Sequence, residues 1–195
     1  AETLTKLTEV SYGLNFEQPL EQSLHTIANS IREATPFQAV LISIYEPDTG
    51  LLRRITGVGF SSETLSELMS RKQPLTSIHQ MLKPQFKISR SYFIPHNEAP
   101  IIPSDVHMVT LEQDGKNGRS ASTWDPDDFL IVPLEDSQGA PLGLLSVDAP
   151  RDGLRPDRVT IGGLEIFASQ AALAISNNSR FTDLRTSVDS LTSGL

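Results

Sequence analysis

The sequence predicts an α+β fold with a central antiparallel β-sheet, and two apolar hairpin patterns carry this prediction. "FQAVLISIYE" (37–46) is rich in β-branched residues and is followed by the turn "PDTG" and the more exposed strand "LLRRITGVG". "DDFLIVPLEDSQGAPLGLLSVD" (127–148) holds two apolar runs around a polar turn with a glycine. These runs are apolar on both faces, which is typical of strands inside a sheet.

Helical periodicity at both ends of the chain is the third observation. One helix is predicted over residues 2–14, and a second has Pro19 in its first turn and ends before Pro36. Asp157 is expected to cap a long helix that continues past residue 181. The apolar stripes are Leu4, Leu7, Val10 and Leu14 in the first helix, Leu20, Leu24, Ile27 and Ile31 in the second, and Ile161, Leu164, Ala168, Ala171 and Ile175 in the third.

The middle of the chain has weaker signals. Residues 62–83 suggest two short helices, and "QFKISRSYFIP" (85–95) is predicted to be one strand. Residues 95–126 lose all periodicity, and a loop of this length is either functional or disordered. Pro133 interrupts a predicted central strand, so a bulge or an unpaired group is expected there.

The last helix carries a second pattern that extends to the chain end. Its small residues, Ala168, Ser169, Ala171, Ala172 and Ala174, would allow another helix to approach closely. We therefore expect a parallel homodimer through the terminal helices. The residues in heptad register are Phe167, Ala174, Phe181, Leu184, Val188, Leu191 and Leu195.

Composition narrows the classes of function. The formal net charge of −8 and the absence of a basic stripe argue against nucleic-acid binding. The chain has no cysteine, which excludes disulfides and thiolate chemistry and agrees with a cytoplasmic location. The sequence shows no apolar run of the roughly 18 residues that a membrane span needs, so membrane insertion is not expected.

The order of elements, together with "FLIVPLEDSQGAPLGLLSVDAPRDGLRPD" and "EIFASQAALAISNNSRF", resembles a GAF domain of a bacterial signalling protein. The resemblance implies a PAS-related antiparallel sheet with the first and last helices on one face. Variable helices and the long loop would cover the other face and enclose a small-molecule pocket. It divides the chain into a linker helix (1–17), the GAF domain (18–180) and a helical linker (181–195) toward an output domain.

The same resemblance argues against several ligands and activities known in the family. The Asn-Lys-Phe-Asp-Glu pattern of cyclic-nucleotide-binding members is absent, so cGMP and cAMP are not favoured. Covalent bilin attachment and reduction of free methionine sulfoxide both use cysteine, which this chain lacks. The cofactor, if there is one, stays unknown at this point.

Candidate pocket residues lie in "SRSYFIP" and "STWDPDDF". Aromatic walls are predicted from Tyr92, Phe93, Trp124 and Phe129, charges from Arg90 and Asp128, and orienting hydroxyls from Ser91 and Ser146. The alternative is that each aromatic residue only packs in the core or in a loop. Asp148, after a buried strand, is expected to cap the turn before Pro150.

The histidines offer a metal or haem site as an alternative. His96 and His107 flank Glu98 and Asp105, but their spacing matches no compact metal motif. "GVGFSS" lacks the third glycine of a dinucleotide fingerprint, and no Gly-x-Ser-x-Gly elbow is present.

The sequence thus favours a non-enzymatic GAF sensory module. It would bind a small molecule or dimerise to control an attached kinase or cyclic-dinucleotide synthase. The alternatives are a ligandless dimerisation scaffold and a small enzyme with a loop metal.

Overall fold

The computed structural model describes residues 18–98, 102–111 and 121–194, which form a seven-stranded antiparallel sheet and four α-helices. The sheet order is β3-β2-β1-β7-β6-β5-β4. The α+β class is confirmed, whereas the helix predicted over 2–14 lies outside the described residues. The helices are α1 (Leu20–Ala34), α2 (Ser62–Met69), α3 (Leu75–Met81) and α4 (Arg158–Ser193). The strands are β1 (Phe37–Glu46), β2 (Leu51–Val58), β3 (Gln73–Pro74), β4 (Lys87–Ile88), β5 (Ser91–Ile94), β6 (Phe129–Glu135) and β7 (Pro141–Pro150).

The predicted inner hairpin is β6–β7, and it lies inside the sheet. β7 pairs with β6 on one side and with β1 on the other. A Cβ atom at Gly143 would collide with the Ser43 carbonyl oxygen, so only glycine permits this approach of β1 and β7. The register of β6 shifts at Leu134/Glu135, one residue after Pro133, where the proline predicted an irregularity.

The two faces of the sheet have separate cores. Helices α1 and α4 cover one face, called here the helix face, as predicted. Its core includes Leu24, Ile27, Ile31, Val40, Ile42, Val132, Leu145, Val147, Leu164, Phe167 and Ala171. Helix α3 and the segment around Val106 cover the opposite face, called here the cavity face. Its core includes Leu52, Ile78, Met81, Phe86, Ile94, Val106, Ile131 and Leu144.

A bulge in β2 determines which of its side chains reach the cavity face. Ile42 pairs with Thr56 and Ser43 pairs with Arg54, so Ile55 is an extra residue on β2. Ile55 packs in the helix-face core, and Thr56 Oγ1 lies 2.9 Å from Nδ1 of His25 on α1. Arg54, the residue before the bulge, pairs with Ser43 and lies on the cavity face.

The strand predicted over residues 85–95 is a hairpin instead. Ser89 turns the chain between β4 and β5 with a φ of 59°, a left-handed conformation that is uncommon for serine. Glu165 of α4 holds this turn: it accepts hydrogen bonds of 2.8 Å from Ser89 Oγ, Arg90 N and Ser91 Oγ. Burial alone would raise the pKa of Glu165, but these hydrogen bonds lower it below its usual value. A side chain 75 residues away therefore determines the turn.

Helix α4 contradicts part of the heptad prediction. Phe167, Ala168 and Ala171 are buried in the helix-face core, so the small residues serve packing within the chain. The exposed apolar stripe of α4, called here the α4 stripe, begins instead at Ile166 and Leu173. It comprises Ile166, Leu173, Phe181, Leu184, Val188 and Leu191.

Helix α4 is long enough, and one window of it apolar enough, to cross a membrane by length and composition alone. Of that window, 39% is buried inside the domain, and one such helix is weak evidence for a membrane span.

Substitution of the central hairpin should unfold the domain. Val132 faces the helices and Leu144 faces the cavity, and both side chains are buried. The two variants are Val132→Asp and Leu144→Asp. An unpaired buried charge costs several kcal/mol, against a total stability of about 5–15 kcal/mol. We expect both variants to lose cooperative thermal unfolding measured by circular dichroism.

Val159→Asp is the matched control, because Val159 is 84% exposed in the first turn of α4. It should melt like the wild type. Cooperative melting of both hairpin variants would contradict the central position of β6–β7.

Candidate functional site

A partly enclosed cavity of about 70 Å³ lies between the cavity face and its covering segments. By the ~10–15 Å³ that one water requires, it holds about five water-sized groups. The floor is formed by Ala39, Leu41 and Ser43 of β1, Phe129 and Ile131 of β6, and Leu144, Ser146 and Asp148 of β7. The cover is formed by Phe60, Leu68, Ile78, His107, Met108 and Val109.

Arg54 supplies a buried positive charge at one end of this cavity. Its side chain is 2% exposed, and it donates hydrogen bonds to the carbonyl oxygens of Leu68, Arg71 and His107 at 2.7–3.0 Å. Nε has no hydrogen-bond partner, and no carboxylate of the described chain lies within ion-pair distance. Burial and the nearby charge of Arg71 lower the pKa of Arg54 to about 10, so the guanidinium remains charged at neutral pH.

Asp148 lies at the other end. It pairs with Ala39, whereas Arg54 pairs with Ser43, four residues further along β1. Asp148 Oδ1 accepts hydrogen bonds from Ala149 N at 2.6 Å and Trp124 Nε1 at 3.2 Å. Asp148 therefore binds a backbone N–H group of the turn before Pro150, as predicted, and also the indole N–H of Trp124. Burial raises the pKa of Asp148 to about 6, although these two hydrogen bonds favour the ionised form and lower it.

Asp128 also lines the cavity, but its negative charge is paired with the guanidinium of Arg155. The side chain is 1% exposed, and Arg155 donates to it through Nε at 3.2 Å and Nη2 at 3.3 Å. The backbone N–H groups of His96 and Asp125 also donate to it, at 2.8 and 2.9 Å. These bonds fix the cavity wall beside the start of α4.

Two hydroxyls complete the polar lining. Ser43 neighbours Arg54, and Ser146 lies between Leu41 and Ile131 in the sheet. Neither side chain makes a hydrogen bond to another residue of the described ranges. The cavity thus offers a cation, two free hydroxyls and a carboxylate on an apolar floor.

The structure brings three of the eight predicted pocket residues to the cavity: Asp128, Phe129 and Ser146. Tyr92 faces the same side but packs against the cavity-face core without lining the cavity.

The other four predicted residues lie on the helix face or its rim, and Ser91 there donates its hydroxyl hydrogen to Glu165 at 2.8 Å. Arg90 donates to the backbone oxygen of Glu165 and to Ser169 on α4. Phe93 and Trp124 pack against each other, with ring centroids 5.9 Å apart, in or against the helix-face core. Successive side chains of a strand point to opposite faces of the sheet, so Phe93 cannot lie on the same face as Tyr92.

The two candidate metal ligands point to different partners. His96 Nδ1 lies 3.1 Å from Asp128 Oδ1, and His107 Nε2 lies 3.2 Å from Glu67 Oε1. Asp105, expected between them, accepts a hydrogen bond from Ser77 instead. Within residues 18–98, 102–111 and 121–194, no three His, Asp or Glu side chains are grouped to hold a metal ion.

Sequence reasoning missed Arg54 and the cavity-facing role of Asp148. The sequence predicts "LLRRITGVG" as a more exposed strand, which places Arg54 near the surface. The available signal was the spacing of Leu52 and Arg54, which places an arginine on the same face as a buried leucine. The bulge at Ile55 has no sequence signature.

Asp148 makes the stability of the domain depend on pH. Folded Asp148 keeps its proton up to about pH 6, whereas the unfolded side chain loses it near 3.8. Its contribution to the free energy of unfolding therefore falls as pH rises through this window. We expect Asp148→Asn, which still accepts both hydrogen bonds, to be more stable than wild type at pH 8 by about 1–3 kcal/mol. Urea unfolding should show this difference shrinking toward pH 4.

Asp183→Asn, on the exposed end of α4, is the control and should not alter the pH profile. Equal stability of Asp148→Asn and wild type at both pH values would contradict the burial effect.

No curated protein sequence matches the chain. Solved structures do match it over nearly its whole length. The GAF domain of a phosphoenolpyruvate-protein phosphotransferase from Coxiella burnetii is 19% identical, with a TM-score of 0.62 and coverage of 93% of this chain and 96% of that one. A GAF domain/HD domain protein from Geobacter sulfurreducens is 10% identical, with a TM-score of 0.60 and coverage of 86% and 96%.

An enzyme has the same fold. Free methionine-R-sulfoxide reductase from Neisseria meningitidis, solved with its substrate, is 12% identical, with a TM-score of 0.56 and coverage of 92% and 93%. At these identities the likeness shows the fold and not the activity. The family model of the GAF domain matches residues 19–175, which is most of the sequence. The chain therefore belongs to the GAF domain family.

Proposed function

We propose that this GAF domain is a non-enzymatic sensory module that binds a small molecule in the cavity and controls an attached output domain. GAF domains generally serve regulatory roles in signalling proteins, and the sequence has no cysteine for reductase chemistry. The observation that carries the proposal is the partly enclosed cavity with a buried, incompletely bonded Arg54. A polar group buried without a full set of partners destabilises a fold unless something compensates it.

A route to the last helix supports the sensory role. Asp128 lines the cavity and holds Arg155, whose guanidinium carbon lies 5.2 Å from the centre of the Phe93 ring. Two residues later Asp157 caps α4, accepting a hydrogen bond of 2.8 Å from Thr160 N. A ligand that moves Asp128 would therefore bias the position of the α4 N-terminus. Regulation requires a ligand with different affinities for two such arrangements.

The output end of the module is the far half of α4. Every residue from 178 to 194 is exposed, so this half extends away from the sheet. We assign residues 181–195 to a helical linker toward a bacterial, cytoplasmic output domain of the kinase or cyclic-dinucleotide synthase type. The α4 stripe would pair with a second copy in a parallel homodimer.

The second candidate is a dimerisation scaffold without a ligand. The α4 stripe favours it, because large apolar side chains at 47–73% exposure are typical of an interface. The two candidates differ in whether the cavity is occupied.

Native mass spectrometry of gently purified protein separates them. We expect a bound small molecule that leaves under activation, in a particle with the mass of two chains. A dimer without any bound molecule, whose stability responds to no small-molecule probe, would favour the scaffold.

The dimer is tested by charge substitution in the α4 stripe. Phe181→Glu with Leu184→Glu places four charges in one seam, and we expect the dimer Kd to rise by about tenfold or more. Sedimentation velocity across a concentration series measures it.

Thr182→Glu with Thr186→Glu adds the same charge on the opposite side of α4 and should leave the dimer intact. A wild-type protein that stays monomeric at high micromolar concentration would contradict dimerisation through α4.

A further inference from the structure

We propose that the ligand of the cavity is a small monocarboxylate, bound through Nε and Nη2 of Arg54. This inference rests on the proposed ligand-binding function and specifies the chemistry of the molecule. It begins from the donors of Arg54. A guanidinium has five N–H donors in a fixed plane.

Three of these donors are used. Nη1 donates to the carbonyl oxygens of Leu68 and Arg71, and Nη2 donates once, to that of His107. The remaining donors are the N–H of Nε and the second N–H of Nη2. Two N–H groups on neighbouring guanidinium nitrogens match the two oxygens of a carboxylate.

The neighbouring groups fit the same anion. Ser43 is the direct ladder partner of Arg54, and its hydroxyl has no hydrogen bond within the described chain. Beyond it the floor is apolar, with Leu41, Leu144 and Ile131 facing the cavity. A carboxylate at Arg54 would thus place an aliphatic body over these side chains.

Asp148 limits the ligand to one negative charge. It lies four residues along β1 from the position of Arg54, which is about 13 Å at the usual rise of a strand. A second carboxylate on a short ligand would lie over the apolar floor between Arg54 and the partly buried Asp148, where the lining offers no second arginine or lysine, and Arg155 is already paired with Asp128. A doubly charged phosphate would also leave one charge without a partner. The volume of about 70 Å³ restricts the aliphatic body to a few carbons.

The experiment compares butanoate with butanamide, succinate and inorganic phosphate on ligand-stripped protein. Isothermal titration calorimetry and the shift in melting temperature measure binding. We expect butanoate to bind about tenfold or more tightly than each of the other three probes. Butanamide has the same shape without the charge, so this pair measures the contribution of the carboxylate in the unaltered protein.

Arg54→Met tests the residue. It keeps the length of the side chain but removes the charge, and we expect the preference for butanoate over butanamide to disappear. Arg54→Lys keeps the charge without the planar pair of donors, and it should retain only part of the preference. Because Arg54 also bonds three carbonyl oxygens, cooperative unfolding of both variants is checked first. If neither folds, the four-probe comparison on the wild type decides alone.

The outcomes separate this inference from the proposed function. Equal binding of butanoate and butanamide, or tighter binding of phosphate or succinate, would overturn the monocarboxylate while leaving a ligand-binding cavity. The same holds if no probe binds but a neutral molecule co-purifies with the protein. If no probe binds and no molecule co-purifies, both proposals are wrong.

Discussion

The pairing of β1 with β7 is the constraint on which the rest of the structure depends. Side chains alternate along both strands, so one register decides which residues meet the helices and which meet the cavity. Val40 and Val147 are paired and buried under α1 and α4, while Leu41 and Ser146 are paired on the cavity face. A shift by one residue would bury Ser146 and Asp148 under the helices. Gly143 fixes this register, since a side chain there would collide with β1.

The fold was predictable from the sequence because hydrophobic patterns and turn residues are local signals. β1, β2, β6 and β7 lie where the apolar runs and the turns placed them, and Asp157 caps α4 as expected. The turn at Ser89 was not predictable, because its cause is a carboxylate on α4, 76 residues away in the chain. Local propensity contains no information about such a partner.

The candidate site was predictable only in part, for the same reason. Alternation divides a strand into two sets of residues but does not say which set faces the ligand. Asp128 and Ser146 were assigned to the cavity and lie there, whereas Phe93 and Trp124 lie on the helix face. Arg54 was missed because a charged residue in a strand is usually exposed, although alternation from the buried Leu52 places it on the cavity face.

The three buried charges of the cavity differ in how they are compensated. Asp128 has an arginine and two backbone N–H groups, which together offset its loss of hydration. Asp148 has two donors and no cation, and its pKa is raised to about 6, so protonation can relieve it in mild acid. Arg54 has carbonyl oxygens only, and with a pKa of about 10 it cannot become neutral under physiological conditions. A change of pH within the physiological range therefore does not neutralise Arg54.

Helix α4 carries two apolar patterns, and its core contacts end where the helix extends beyond the sheet. Packing on the sheet follows the 3.6-residue period of a straight helix, with Leu164, Ala168, Ala171 and Ile175 buried. A seam between two helices follows 3.5 residues, and the two patterns diverge by about 20° in every heptad. Phe167 belongs to the core, whereas Phe181, two heptads on, is 51% exposed because it lies in the part of α4 beyond the sheet, where every residue from 178 to 194 is exposed. Because the sheet fixes the orientation of the first half, the packing of α4 on the sheet determines the direction in which the exposed half extends.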